Sequence, residues 1–109
     1  MSEVKAALIW CPFPDKESAR RATANMLEEK LIACANIFPA IESVFEWEGS
    51  VSDAQEVAVL FKTTSSKLNQ AIAHLGDCHP YDTPAIIGWT CEAAHPLTLT
   101  WLGEIVGGK

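Results

Sequence analysis

Residues 33–63 read ACANIFPAIESVFEWEGSVSDAQEVAVLFKT, and this stretch decides the fold. Two extended runs, 33–47 and 56–63, flank a turn that begins at Glu48-Gly49-Ser50. In both runs the side chains alternate in character, as they do in half-buried β-strands, because successive side chains point to opposite faces of a sheet. Two such runs around one turn predict a long β-hairpin. Pro39 interrupts the first run, so we expect a bend or bulge there.

Shorter elements flank the hairpin. Residues 4–11 are mostly apolar and predict a buried strand, which we expect Pro12-Phe13-Pro14 to end. Asp15 is expected to cap a following helix of about three to four turns. The helical spacing of its apolar residues predicts that this helix buries Ala19, Ala22, Met26 and Leu27.

Two more helices and a fourth strand follow. Ser65 or Ser66 is expected to cap the second helix and Gly76 to end it, with inward side chains Leu68, Ala71, Ile72 and Leu75. The fourth strand is expected over residues 85–91. His95-Pro96 is expected to open a last short helix, which Gly107-Gly108 ends and which directs inward Leu97, Trp101 and Ile105.

The order of elements predicts one α+β domain spanning residues 1–109, a ferredoxin-like βαββαβ fold with an extra C-terminal helix. Right-handed crossovers place both long helices on one face of a four-stranded antiparallel sheet. Strands one and three are expected at its centre. We do not expect strand four, which His79 precedes, to lie beside strand one. Cys11 and His79 would then meet only through long loops or across a subunit interface.

The hairpin strands are longer than the other two strands. They carry Phe45, Trp47 and Phe61 towards the part that extends beyond the rest of the sheet. A single chain would leave these aromatic side chains and the strand edges uncovered. A symmetric oligomer that pairs the edges would cover them.

Composition restricts the function. The 109 residues include eight Lys and Arg against fourteen Asp and Glu, a net charge of −6. Nucleic acids and anionic membranes bind positive surfaces, so we predict neither partner. No apolar stretch approaches the length of a bilayer span, and residues 1–11 lack the pattern of a secretion signal. The four cysteines form no CxxC motif, which predicts reduced thiols in the cytoplasm; a Cys11–Cys91 disulfide is the alternative.

The tetrapeptide Cys78-His79-Pro80-Tyr81, with Cys11 far upstream, is the main chemical signal. Thiolate and imidazole are ligands of soft and borderline metals, and they are also the parts of a Cys-His nucleophile. A helix that starts just after Cys11 would lower the pKa of its thiol and favour the thiolate. The structural alternative is that these cysteines are small core residues and His79-Pro80 a turn.

Three segments together carry a family resemblance. They are EKLIACANI at 29–37, SVFEWEG at 43–49 followed by Glu56 and by Lys62-Thr63, and His79-Pro80-Tyr81 followed by Thr83-Pro84. With Cys11 near the start and Trp101-Leu102 near the end, they closely resemble the divalent-cation tolerance (CutA) family over nearly the whole chain. The Glu-Trp-Glu-Gly and His-Pro-Tyr elements are specific in this order and spacing.

The resemblance implies a fold similar to that of the PII signalling proteins and a homotrimer built by pairing the long hairpins. It implies tolerance of copper and other divalent metals, with no established reaction. The family's metal-associated positions match Cys11, Cys34 and His79. Two positions differ from the usual family pattern. Ala85 occupies a position where the family usually has a glutamate, and Cys78 occupies one where some members have a histidine. Both changes favour a soft metal such as Cu(I) or Zn over Mg or Ca.

Two groups of candidate site residues follow. The expected metal ligands, with copper as the metal, are Cys11, Cys78, His79 and Cys34. The expected interface or cleft residues are Phe45, Trp47, Glu48, Lys62 and Tyr81. The aromatic members would line a pocket or anchor an interface. Glu46 and Glu48 would attract cations around a trimer axis, or else lie on a solvated strand face with Lys62 opposite them.

Three functions are therefore open. The first is a non-enzymatic homotrimer that binds or responds to divalent metals. The second is a PII-like sensor or adaptor that binds a small molecule or a partner protein in the subunit clefts. The third is a hydrolase that uses Cys11 or Cys78 with His79, but the sequence offers neither an obvious group to orient the histidine nor a recognisable oxyanion loop.

Overall fold

The computed structural model describes residues 3–107, so Met1-Ser2 and Gly108, the expected second residue of the final helix stop, lie outside the described residues. The observed elements are β1 (Ala6–Phe13), α1 (Lys16–Glu28), β2 (Cys34–Trp47), β3 (Ser50–Thr64), α2 (Leu68–Cys78), β4 (Ile87–Thr90) and α3 (Pro96–Ile105). The predicted α+β class and order of elements are confirmed. Within the described range, no helix is long and apolar enough to cross a membrane.

The four strands form one antiparallel sheet in the order β2-β3-β1-β4. Strands β1 and β3 are central, as predicted. The expectation that β4 does not lie beside β1 is wrong, because residues Ala7 to Trp10 of β1 pair with β4. The loop that leads into β4 therefore approaches the end of β1, and this brings His79 to Pro12.

The hairpin closes as predicted. Glu48 and Gly49 have φ values of 52° and 84°, and two successive positive φ values are those of a type I′ turn, whose twist matches that of the flanking strands. The register shifts between Phe38 and Ile41, so the bulge expected at Pro39 is present. β1 pairs with β3 only from Val57 to Thr64. Residues 50–56 of β3 therefore pair with β2 alone.

Helix α1 starts where the sequence predicts. The Asp15 carboxylate accepts a hydrogen bond from the Ser18 backbone N–H at 2.8 Å. Ala19, Ala22 and Met26 are buried as expected, but Leu27 is 38% exposed and was wrongly assigned to the core. The expected strand end at Pro12 is also wrong. Beyond Trp10 the β4 side of β1 has no partner strand, and a proline is tolerated at such an edge.

The boundaries of α2 differ from the prediction. Neither serine caps the helix: Lys67 precedes its first residue, and the Ser65 hydroxyl instead accepts a hydrogen bond from the Lys5 backbone N–H. Gly76 lies inside the helix, which continues to Cys78. It ends there because His79 precedes Pro80, and a residue before proline is forced out of the helical region. The predicted inward residues pack against the core.

Strand β4 is shorter than predicted, and α3 turns a different face inward. His95 and Pro96 do open α3, since the His95 ring accepts a hydrogen bond from the Leu97 backbone N–H. However, Leu97 is 73% exposed and Trp101 41% exposed, whereas Leu102 is buried. Ile105 packs against the buried cluster as predicted. The assignment of Leu97 and Trp101 to the inward face was wrong because α3 is apolar on most of its circumference, so periodicity does not define a single buried face.

The main core lies between the sheet and helices α1 and α2, around Ile9, Phe13, Met26, Phe61 and Leu75. The expectation that Phe61 lies towards the uncovered part of the hairpin is wrong, because it pairs with Ile9 and is fully buried. Residues that alternate with the core residues form the opposite surface, which we call the open face: Leu8, Trp10, Phe38, Phe45, Trp47, Leu60, Ile87 and Trp89. Helix α3 packs with Ala6 and Ala33 at one end of the sheet. Ile87, Trp47 and Trp89 are 62%, 54% and 44% exposed, so much of the open face is uncovered.

Close packing of α2 on β4 makes Gly88 a sensitive position. A Cβ added there would lie 3.0 Å from the Leu8 backbone oxygen and 2.9 Å from a methyl carbon of Leu68. We expect Gly88→Ala to lower the free energy of unfolding by about 1–3 kcal/mol through overpacking. Urea denaturation at one fixed protein concentration measures this.

Gly103→Ala is the matched control, because a Cβ at Gly103 has no neighbour within 4 Å. Gly103 lies inside α3, so alanine should raise the free energy of unfolding by about 0.5–1 kcal/mol. A Gly88→Ala variant as stable as the wild type would contradict this description of the α2–β4 contact.

Candidate functional site

His79 holds the loop after α2 against the end of β1. Its Nε2 lies 2.8 Å from the Pro12 carbonyl oxygen, which can only accept, so Nε2 carries the proton. Its Nδ1 accepts a hydrogen bond from the Tyr81 backbone N–H at 3.1 Å. The ring stacks on Phe13 with centroids 4.5 Å apart. Both ring nitrogens are thus engaged by backbone groups, which leaves neither lone pair directed at a metal.

Cys11 is a core thiol. It is fully buried, and its Sγ donates a weak hydrogen bond to the Pro12 carbonyl oxygen at 3.5 Å. Burial, with a smaller contribution from the Glu56 carboxylate, raises the pKa of the thiol to about 12. The expectation that the start of α1 lowers this pKa is therefore wrong, because the desolvation of a buried thiolate outweighs the helix dipole.

Tyr81 fastens the same loop to β3. Its hydroxyl donates a hydrogen bond to Oε2 of Glu56 at 2.8 Å, and its ring centroid is 4.9 Å from that of His79. Desolvation and then the hydrogen bond to Glu56 raise the pKa of the Tyr81 hydroxyl to about 12. The phenol is therefore neutral at physiological pH and acts as a donor to the carboxylate. Glu56 was not among the predicted site residues.

The hairpin tip and the loop at 80–85 enclose a cleft of about 720 Å³. Phe45, Trp47 and Tyr81 line it, so the structure brings together the three predicted aromatic residues. The other two predicted cleft residues do not line it. Glu48 lies in the hairpin turn, and Lys62 pairs in register with Cys34 near the other end of β2. Lys62 is therefore not across from Glu46 or Glu48.

The predicted metal ligands do not form one site within a chain. Cys34 shares a sheet face with Lys62 and Leu8, whereas Cys11 lies on the core side. Burial raises the pKa of the Cys34 thiol, and Lys62 partly opposes the rise. Among residues 3–107, no group of three His, Cys, Asp or Glu side chains is arranged to hold a metal ion. The four-ligand set therefore stays a prediction. All four cysteines are free.

Cys78 has neighbours that the sequence reasoning did not identify. It is exposed, and its Sγ donates to Oδ1 of Asn25 at 3.4 Å. Nε2 of His74 lies 2.6 Å from the same oxygen. Burial and then the carboxylates of Asp77 and Glu29 raise the pKa of the Cys78 thiol. The four-residue spacing of His74 and Cys78 on a predicted helix was the available signal, since it places both side chains on one face.

Comparison with known proteins agrees with this architecture. Residues 7–105 match the sequence profile of the family described as CutA1 divalent ion tolerance protein. The crystal structure of the divalent ion tolerance protein CutA1 from Ehrlichia chaffeensis superposes with a TM-score of 0.90 and 37% sequence identity, covering 96% of this chain and 98% of that one.

Sequence relatives agree. The divalent-cation tolerance protein CutA of Thermococcus kodakarensis is 33% identical over 96% of this chain and 100% of its own length. The chloroplastic protein CutA of Arabidopsis thaliana is 34% identical over 91% of this chain, which spans only 54% of that relative. Relatives therefore occur in different compartments, and the cytoplasmic location stays a prediction. With its profile, sequence and fold in agreement, this chain belongs to the CutA1 divalent ion tolerance protein family.

Proposed function

We propose that this protein is a homotrimer that acts in divalent-cation tolerance, binding or responding to copper and other divalent metals without catalysing a reaction. Membership of the family supports the role in tolerance. The observation that carries the proposed assembly is the open face. Trp89, Ile87 and Phe38 are each more than two-fifths exposed there.

An uncovered surface of this kind is costly for a soluble chain. Burial of apolar surface is worth roughly 25 cal/mol per Å², and monomeric proteins seldom leave a continuous apolar patch in water. The register places Phe45 and Trp47 on the same face as Phe38, so the patch continues from the sheet into the hairpin. Copies of the chain that meet through this face would remove most of the patch from water.

Unpaired backbone supports the same assembly. Within residues 3–107, residues 50–56 of β3 have β2 on one side and no strand on the other. Such an edge presents backbone N–H and C=O groups to any strand that reaches it. In a closed ring of three chains, each hairpin can pair with its neighbour, which leaves no growing edge.

The proposed metal function depends on which thiols a metal can reach. Cys11 is fully buried, and Cys34 is half-buried on the surface that the trimer would cover. Cys78 is exposed at the end of α2, on the helical side of the sheet. The geometry therefore favours Cys78 as the predicted ligand that an incoming soft metal meets first.

The cleft favours a second candidate function, that of a small-molecule or protein-partner sensor. Its volume of about 720 Å³ lies within the range of ligand pockets, and aromatic side chains line it. No observation favours the hydrolase. His79 contacts the Pro12 carbonyl, and the Cys78 thiol contacts Asn25.

Sedimentation equilibrium tests the assembly. The wild type should sediment at about three times the 11.9 kDa chain mass. We expect Trp89→Glu to dissociate or unfold it, because a charge left in an apolar interface costs several kcal/mol. Leu27→Glu is the matched control: Leu27 is 38% exposed against 44% for Trp89, but it lies on α1 at the helical side. A monomeric wild type, or dissociation by both variants alike, would contradict the proposed interface.

Growth in copper tests the function. In a host that lacks its own member of this family, the wild-type chain should restore growth at copper concentrations that inhibit the empty strain. Leu27→Glu should restore growth as well. Trp89→Glu should not, since we expect it to lose the trimer. Equal copper sensitivity with and without the wild-type chain, at confirmed expression, would count against a role in tolerance.

The raised pKa of Cys11 predicts a loss of stability in alkali. Its thiol has a pKa of about 12 in the folded chain against a reference of 9.0, so the contribution to stability is complete below pH 9 and is lost as pH rises towards 12. By pH 11 the loss is at most about 2–3 kcal/mol. The stability difference between wild type and Cys11→Ala should therefore shrink from pH 8 to pH 11.

Chemical denaturation at fixed protein concentration measures this difference. Gly103→Ala is the control, because it leaves every thiol in place and should keep a constant difference from the wild type. Parallel pH profiles for wild type and Cys11→Ala would show that the Cys11 thiol titrates alike in the folded and unfolded states.

A further inference from the structure

Two side chains one helical turn apart on α2 converge on a single atom of α1. Nε2 of His74 lies 2.6 Å from Oδ1 of Asn25, and Sγ of Cys78 lies 3.4 Å from the same oxygen. An imidazole nitrogen and a thiol sulfur that approach one point are a common arrangement for binding a soft cation. Neither His74 nor Asn25 belongs to the predicted ligand set.

We propose that His74 and Cys78 form a two-ligand site for Cu(I) between α1 and α2. The inference rests on the proposed function, which it deepens by assigning the ligands and the oxidation state of the metal. Thiolate sulfur and imidazole nitrogen both bind Cu(I), and Cu(I) accepts low coordination numbers. Zinc sites instead use three or four protein ligands, which this position does not offer within residues 3–107.

The distances are compatible with one bridging ion. A borderline or soft metal binds imidazole nitrogen at about 2.0 Å and thiolate sulfur at about 2.3 Å, so a linear site needs the two atoms about 4 Å apart. Nε2 of His74 and Sγ of Cys78 lie 2.6 and 3.4 Å from Oδ1 of Asn25, and these two distances are compatible with a separation of about 4 Å between nitrogen and sulfur. Side chains four residues apart on a helix are neighbours, so no change of backbone is needed.

Binding exchanges protons for the metal without any redox step. The Cys78 thiol loses its proton to solvent, and its sulfur forms the Cu–S bond. Oδ1 of Asn25 can only accept, so Nε2 of His74 carries a proton in the metal-free chain. That proton moves to Nδ1 through solvent, and the Nε2 lone pair then forms the Cu–N bond. Both hydrogen bonds to Asn25, from Nε2 and from the thiol, break. Copper enters and remains as Cu(I), so each ion bound releases one proton.

Nearby charges favour a cation at this position. The carboxylates of Glu29 and Asp77 act on the Cys78 thiol. Arg21 lines the same surface depression, of about 330 Å³, but its guanidinium is 3.1 Å from the Glu17 carboxylate, which offsets its charge. Cys78 is exposed, on the side of the sheet away from the open face, so the proposed trimer would leave the site accessible.

Competition for Cu(I) against a coloured chelator tests the site, with the full chain kept reduced under anaerobic conditions. The wild type should bind one Cu(I) per chain, develop Cu–thiolate absorption in the near ultraviolet and release one proton per ion at pH 7. His74→Gln and Cys78→Ser should each weaken binding at least tenfold. Cys91→Ser and His95→Asn, which change the same residue types elsewhere, should bind within about twofold of the wild type.

The outcomes separate this inference from the proposed function. If the wild type binds Cu(I) and the His74 and Cys78 variants bind equally well, the ligand assignment is overturned while direct metal binding stands. If the wild type binds no Cu(I), the site is overturned, and copper tolerance in cells still decides the proposed function independently. Circular dichroism and sedimentation of each variant establish that a loss of binding is not a loss of fold.

Discussion

The structure depends on a mismatch in strand length. β3 has 15 residues and β1 has eight, so the central strand β1 covers only part of its neighbour. The part of the hairpin beyond β1 has an unpaired backbone edge on β3, and its apolar side chains Phe45 and Trp47 belong to the open face. A type I′ turn at Glu48-Gly49 keeps the two hairpin strands in register to the end. A single chain therefore exposes an apolar surface and a strand edge, and both features favour the proposed assembly.

The difference in length between β1 and β3 also determines where the cleft between the hairpin tip and the loop at 80–85 lies. Because β1 ends at Phe13, the loop after α2 can lie across the space next to the exposed hairpin. His79 fixes one end of this loop to the Pro12 carbonyl, and Tyr81 fixes it to Glu56. His79 and Tyr81 of the His-Pro-Tyr motif thus hold the loop in position. The proposed Cu(I) site and the cleft therefore lie on two different surfaces of this fold.

Periodicity and turn chemistry predicted most of the fold, since the hairpin, the Asp15 cap and the order of elements each follow from local sequence. Tertiary contacts decided the rest. The ionisation of Cys11 depends on burial and on Glu56, which is distant in sequence. The proximity of His74 and Cys78 could have been predicted from their helical spacing, but their contacts with Asn25 could not, because a different helix supplies that residue.

Amide hydrogen–deuterium exchange of residues 50–56 tests the central claim most directly. In a single chain, the amides of this segment that point away from β2 have no partner strand among the residues that the structure describes. If the hairpin edge pairs with another copy, all of its amides should exchange slowly, at rates similar to those of residues 58–62, which lie between β1 and β2. Fast exchange at alternate amides of 50–56, at concentrations where sedimentation detects an oligomer, would contradict assembly through this edge.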